Sequence, residues 1–234
     1  MKKLVVVVGA VALAGVIAGC ATSGAADEDK VAKWQKERTP VEVLKSKIAV
    51  KAAGAVVEAL DVVPFGIYKA VADKVDKTAV MDRYRKIYLG YVSDIKGLEG
   101  QGKSKDEARK QIYAALSARP DGAATIAKLN EYLKMAKESN FDAIAAWITK
   151  ISAEIQAASQ KLANETPNAI NQLVEIAKKE GGMAVITIPS QGKDDIAVVG
   201  QQLADAGVGL KLYIEMTNAD KEAAKIQAEY PVEG

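Results

Sequence analysis

The fold class is decided by the stretch FDAIAAWITKISAEIQAASQKL, residues 141–162. Apolar side chains recur in it every three or four residues for three heptads, while Lys150, Glu154 and Lys161 lie outside this seam. Such spacing places the apolar residues on one side of an α-helix, as in a coiled coil. The stripe must therefore pack against another surface, in this chain or in another one. Its members are Phe141, Ile144, Ile148, Ile151, Ile155, Ala158 and Leu162.

Upstream of the seam, the same spacing predicts further helices. Thr39 and Pro40 suit the cap and the first residue of a helix whose apolar residues run from 41 to 59. Pro64 is expected to break or restart that helix, because proline lacks a backbone donor. A longer helix should follow it. The apolar face of that helix consists of Met81, Tyr84, Tyr88, Tyr91, Ile95 and Leu98.

Helix boundaries are marked by capping residues and prolines in the rest of the chain. Ser104 and Glu107 have the spacing of a capping box for a helix that ends near residue 118, and Asp121 is expected to cap the next one. Thr166-Pro167 is expected to open a further helix, which Gly181-Gly182 ends.

The segment 183–216 fits two structures. The runs 183–188 and 208–216 could be strands on either side of a helix that begins at Asp194, as in a small βαβ element. The same residues also place apolar side chains at helical spacing. We favour the helix, because two strands without a third partner are marginal. The sequence thus predicts an all-α bundle or array of seven to eight amphipathic helices, the last beginning near Thr217.

Composition excludes several classes of chemistry. Of the 234 residues, 49% are hydrophobic and 26% are charged, so the chain can bury a core. Histidine is absent and Cys20 is the only cysteine, which excludes histidine-based nucleophilic catalysis, His-containing zinc sites and an intramolecular disulfide. No carboxylate pair is marked as catalytic. The sequence nominates no catalytic residue, cofactor or metal site, and we expect a protein that is not an enzyme.

The N-terminus has the pattern of an export signal. Lys2 and Lys3 precede a charge-free apolar run from Leu4 to Ala18, which is shorter than the roughly 20 residues a membrane span needs. That run ends in Ile17-Ala18-Gly19-Cys20, which resembles the lipobox of bacterial lipoproteins. The resemblance implies cleavage before Cys20, lipid attachment to its sulfur and acylation of the new amine. Ala21 after the cysteine, rather than aspartate, implies sorting to the outer membrane.

These features predict the domain organisation and the partners. We expect a signal peptide at 1–19, a flexible tether at 20–29 and a single helical domain at 30–234. Loss of Lys2 and Lys3 leaves 30 basic and 30 acidic residues, a balance that does not favour nucleic-acid binding. The predicted function is that of a lipid-anchored, periplasm-facing lipoprotein with a structural or partner-binding role. Its partner would be an envelope protein or a second copy of this chain.

Three other patterns bear on function. A broad apolar face over 48–72 is the basis of an alternative role in handling lipids or hydrophobic ligands. Residues 97–104, GLEGQGKS, match the P-loop formula, but helical spacing precedes them where a P-loop needs a strand. Nucleotide binding is therefore the weaker alternative. Tyr84, Tyr88 and Tyr91 form a stripe that could stack on a glycan or peptide, although a core role is commoner.

Overall fold

A computed structural model describes residues 28–40, 48–52, 55–60 and 64–232. Within these residues the chain forms six α-helices and one antiparallel hairpin of two strands, so the predicted helical class is confirmed. None of these helices is both long enough and apolar enough to cross a membrane. The elements are α1 Glu28–Glu37, β1 Ile48–Ala52, β2 Ala55–Leu60, α2 Pro64–Glu99, α3 Lys105–Ser117, α4 Gly122–Glu138, α5 Phe141–Glu180 and α6 Ala184–Ile226.

The helix predicted over 41–59 is wrong where the structure describes it. Residues 48–52 and 55–60 form β1 and β2, with Val50 opposite Val57 and Ala52 opposite Ala55. Helical spacing is present here, but each strand contains two β-branched residues, which favour strands over helices. Pro64 does restart the helical chain as predicted, because α2 begins at that residue.

The boundary predicted at Thr166-Pro167 is absent, since α5 runs through both residues for a length of 40. The Thr166 hydroxyl donates to the carbonyl oxygen of Leu162 at 2.6 Å. Threonine thus bonds back to the preceding turn instead of capping a new helix, a known alternative use of its hydroxyl. Pro167 remains in the helix interior.

The segment predicted from 183 onward forms one long helix, α6. The favoured helical interpretation of 183–216 is confirmed and the βαβ alternative is wrong, because α6 is continuous from Ala184 to Ile226. It contains Pro189 close to its start and passes through Thr217, where a separate helix was predicted. Two predicted breaks are therefore missing, and six helices replace the expected seven to eight.

The chain divides into two compact units. Of the described residues, the first unit contains 33–40, 48–52, 55–60, 64–72 and 147–210, and the second contains 28–32, 73–146 and 211–232. The single domain expected over 30–234 stays a prediction.

The first unit is organised by an antiparallel hairpin of α5 and α6. Its turn is Gly181-Gly182, where both residues have positive φ, 68° and 55°, the conformation glycine adopts most readily. Two small apolar clusters join the helices. One is centred on Ala169 and Val199, and the other on Leu173, Ala177 and Ile188.

The second unit has one larger core shared by α2, α3, α4 and the C-terminal residues. The side chains of Tyr88, Ile95, Leu129 and Tyr132 are completely buried in it. The rings of Tyr88 and Tyr132 lie 5.4 Å apart between centroids in a tilted arrangement. Aromatic pairs at this separation add to the stability that burial provides.

Candidate functional sites

Cys20 and the lipobox lie outside the described residues, so the lipid-attachment site stays a prediction. The apolar seam of residues 141–162 is described throughout. Ile151 and Ile155 are buried, and the other members are half-buried. Ala158 and Leu162 pack against the cluster of Ala169 and Val199 in the first unit. This part of the seam is therefore covered by its own chain.

The residues that match the P-loop formula connect two helices. α2 runs up to Glu99 where a P-loop would require a strand, and Gly102 has φ of 90° in the turn that follows. Ser104 caps α3: its hydroxyl accepts from the Glu107 amide, and the Glu107 carboxylate accepts from the Ser104 amide. The predicted capping box is thus confirmed. The Ser104 hydroxyl also donates to the Glu107 carboxylate at 2.8 Å, and this bond, together with the one from the Ser104 amide, lowers the pKa of Glu107.

A shallow depression of about 450 Å³ lies beside this turn. It is lined by Gly102, Lys103, Glu107, Lys110 and Gln111. The Lys103 ammonium, which a P-loop would direct at phosphate, donates instead to the side-chain oxygen of Gln111. The depression is open, and we assign no nucleotide to it.

The tyrosine stripe lines the place where the C-terminal segment docks. The Tyr88 hydroxyl donates to the main-chain oxygen of Tyr230 at 3.2 Å, and the Tyr91 hydroxyl donates to that of Pro231 at 3.4 Å. Burial raises the pKa of both phenols, so they remain donors at neutral pH. Tyr84 is half-buried against the same core. The stripe thus has the core role that was considered commoner, and part of it contacts a peptide from its own chain.

The side chain of Tyr230 is held by charged groups. The ammonium groups of Lys96 and Lys105 lie 5.4 and 4.7 Å from its ring centroid, a distance at which cations are attracted to aromatic faces. Its hydroxyl donates to the Glu99 carboxylate at 3.2 Å. Lys105 also bonds to Glu229 at 3.3 Å. Sequence reasoning missed this arrangement, because Tyr230 follows the last helix and carries no periodic signal.

A cluster of charges is buried in the second unit and was also not predicted. Arg85, which is completely buried, donates to Asp82, to Asp220 at 2.9 Å and to the main-chain oxygen of Met216 at 3.0 Å. Lys86 lies 3.2 Å from Asp82. Two cations thus face two carboxylates, which offsets much of the cost of removing them from water.

Burial raises the pKa of Asp220 to about 6, against the opposing attraction of Arg85. Perturbed carboxylates often mark functional sites, but structural ion networks produce the same shift. Here each charge faces a partner in a packed core, which indicates a structural role. The signal that the sequence offered was Arg85 itself, one helical turn from the apolar positions 81 and 88.

In the first unit, Asp205 of α6 bonds to Trp34 and Thr39. Its carboxylate accepts from the amide and from the hydroxyl of Thr39, both at 2.6 Å, and its main-chain oxygen accepts from the Trp34 indole at 3.0 Å. Tyr68 donates to the Thr39 carbonyl. Thr39, which was predicted to cap a helix, therefore bonds to a carboxylate 166 residues away. No short sequence pattern reports such a contact.

The α5–α6 turn exposes apolar side chains. Met183 and Ile186 are 70% and 66% exposed, and Val185 is 48% exposed. We call residues 183–186 the apolar tip. Charged residues are absent from 181–192, although Lys178, Lys179 and Glu180 precede the turn. Contiguous exposed apolar residues of this kind are typical of contact sites for proteins or membranes.

In the described part of the chain, no group of three or more acidic or cysteine side chains is arranged to hold a metal ion. Comparisons with protein-family models, with curated proteins and with solved structures find no match for this chain.

Proposed function

We propose that this protein is a lipid-anchored lipoprotein of the outer membrane, with a structural or partner-binding role in the periplasm. The observation that carries the proposal is Ile17-Ala18-Gly19-Cys20, in which the only cysteine of the chain ends a charge-free run behind two lysines. Cleavage there leaves one thiol and one new amine, and both can be acylated. Two or more acyl chains give stable attachment where one gives only marginal binding.

The partner-binding role rests on the helical body. In the described residues we assign no group to catalysis, and in the second unit the buried Arg85 faces Asp82 and Asp220. The apolar tip gives the chain an exposed surface at which a partner could be contacted. An envelope protein or a second copy of the chain is the proposed partner.

The anchor is tested by intact-mass analysis of the native protein. The expected mass corresponds to a chain that begins at Cys20 and carries acyl groups, and a Cys20→Ala variant should retain its leader. A native product with a free thiol or an uncleaved leader would refute the anchor. Partner binding is tested separately by crosslinking in intact cells, where recovery of the chain with no protein attached would refute that role.

The second candidate is a role in lipid contact, and the specific observation that favours it is the apolar tip. The face over 48–72, on which this alternative was first based, is not one helix, because it contains β1, β2 and the start of α2. Met183 and Ile186 instead offer exposed apolar surface beside the turn between α5 and α6. Burial of each would contribute about 1.5–3 kcal/mol.

Flotation with liposomes tests this candidate on an acyl-free chain that begins at Ala21. The unchanged chain should float with the liposomes, and the double variant Met183→Ser, Ile186→Ser should not. The matched control is Val80→Ser, at another exposed apolar residue, 38% exposed. Equal flotation of the tip variant and the control would exclude the tip as a lipid contact.

A further inference from the structure

The C-terminal segment occupies a groove of the second unit as a bound peptide would. Helix α6 ends at Ile226, a turn follows over 227–229, and residues 230–232 are not helical. The side chains of Tyr230 and Val232 are buried in the core that α2, α3 and α4 share. We call Tyr88, Tyr91, Lys96, Glu99 and Lys105 the tail groove.

The tail groove contacts the backbone of this segment in a way that fits proline. Its two bonds to the main chain run from hydroxyl groups, those of Tyr88 and Tyr91, to the carbonyl oxygens of Tyr230 and Pro231. Neither bond requires a backbone N–H from the peptide. Proline has no backbone N–H, so a peptide that presents proline loses no hydrogen bond to the groove.

The side-chain contacts select the residue before the proline. Lys96 and Lys105 lie on the Tyr230 ring, and Glu99 accepts from its hydroxyl at 3.2 Å. Phenylalanine would lose the last bond, and an aliphatic residue would also lose the cation–aromatic contacts. After the proline, the core receives the aliphatic Val232.

We propose that the tail groove is a recognition site for extended peptides that present tyrosine, proline and an aliphatic residue in succession, and that residues 230–232 fill it in the free protein. A segment of that chemistry on another protein chain is the partner that the groove fits. The C-terminal segment then acts as an internal competitor. Residues 230–232 lie outside α6, so their release does not require a helix to unfold. The inference does not depend on the lipid anchor.

The competition can be estimated from effective concentration. A segment joined by a short connection is present at about millimolar concentration, so a site with a dissociation constant of about 100 μM is mostly occupied internally. A peptide added in solution would then bind the unchanged chain about tenfold more weakly than a chain whose own segment is impaired.

The test uses the full chain in detergent and a labelled peptide of residues 227–234, QAEYPVEG. The variant Tyr230→Ala should bind this peptide about tenfold more tightly than the unchanged chain, and Lys225→Ala, at an exposed position outside the groove, should behave like the unchanged chain. The peptide QAEAPVEG should not bind. Adding Lys105→Gln to Tyr230→Ala should weaken binding severalfold. A folded Tyr230→Ala chain that takes up no peptide at about 1 mM would overturn the proposal.

If Tyr230→Ala does not fold, hydrogen exchange of the unchanged chain tests whether residues 230–232 leave the tail groove. The amide of Tyr230 donates to the Ile226 carbonyl at 3.2 Å, so its exchange reports release of the segment. It should exchange at least about 100-fold faster than the amide of Leu129 in α4, whose side chain is completely buried. Equal rates would mean that the segment leaves only when the core unfolds, and would overturn the proposal.

Discussion

The two compact units are stabilised by different means. In the first, α5 and α6 meet through two small clusters of alanine, valine, leucine and isoleucine, and the turn leaves apolar side chains in water. In the second, four tyrosines, a buried arginine and two buried aspartates share one larger core. The second core contains the buried ion pair of Arg85 and Asp220, whereas the buried Asp205 of the first unit accepts from the neutral Thr39. We therefore expect the second core to be more sensitive to the loss of a charged side chain and to pH.

The largest effect is expected from Arg85→Met in the second unit. The change keeps most of the volume but leaves Asp82 and Asp220 buried without their main cation. Breaking a buried pair in this way costs about 3–5 kcal/mol. Urea unfolding measures the loss. The control is Lys225→Met, which removes an exposed pair with Glu222 and should change stability by less than about 1 kcal/mol. Equal effects of the two variants would refute the structural role of the cluster.

In the first unit, the sharpest comparison is between two glycines of α6. A Cβ at Gly209 would lie 2.5 Å from Cζ2 of Trp34 and 2.9 Å from Cγ1 of Val71, whereas a Cβ at Gly207 meets nothing within 4 Å. Gly209→Ala should therefore destabilise the protein by about 1–3 kcal/mol through overpacking. Gly207→Ala should stabilise it by up to about 1 kcal/mol, since alanine favours helices. Thermal unfolding measures the change in stability of each variant. A change of the same sign in both would contradict the close packing of Trp34 against Gly209.

A pH effect should follow from Asp220. Its pKa is about 6 in the folded protein, above the usual value of 3.8, so the folded state binds a proton more readily than the unfolded state. The contribution of this group to stability therefore rises as pH falls from 7 to 5, by about 1 kcal/mol. Denaturant unfolding at both pH values should show this gain in the unchanged chain and in Asp94→Asn, an exposed control. Asp220→Asn should lack it, and a gain of the same size in that variant would assign the effect elsewhere.

The smallest effect is expected at the apolar tip. Met183→Ser should alter the free energy of unfolding by no more than about 0.5 kcal/mol, because its side chain is already 70% exposed. Ile188→Ser, five residues further along α6, removes a side chain that is 4% exposed and should cost several kcal/mol. A large loss from the Met183 change would show that the tip belongs to the core.

The sequence predicted those features that local signals determine. The helical class, the capping box of Ser104 and Glu107, the restart at Pro64 and the turn at Gly181-Gly182 all follow from residues close together in the chain. The prediction was wrong where one local signal competes with another. Pro167 lies inside a long helix, and residues 48–52 and 55–60 pair as strands despite their helical spacing.

The candidate sites depend mainly on contacts between distant residues. The bond from Thr39 to Asp205 and the pairing of Arg85 with Asp220 join positions more than 130 residues apart, so no motif indicates them. The tyrosine stripe was identified from the sequence, and the structure shows the core role that was considered commoner than stacking on a glycan or peptide. That residues 230 and 231 accept from two of its hydroxyls required the structure.

The turn between α5 and α6 separates two kinds of sequence constraint. Gly181 and Gly182 adopt backbone angles that cost other residues about 1–2 kcal/mol each, so natural variation at these positions should be narrow. The exposed side chains of Met183, Val185 and Ile186 contribute little to folding, so selection for binding can change them. A saturation library across 181–186 would separate the two constraints: survival of the fold should depend on the first two positions, and any loss of fitness without unfolding should map to the rest.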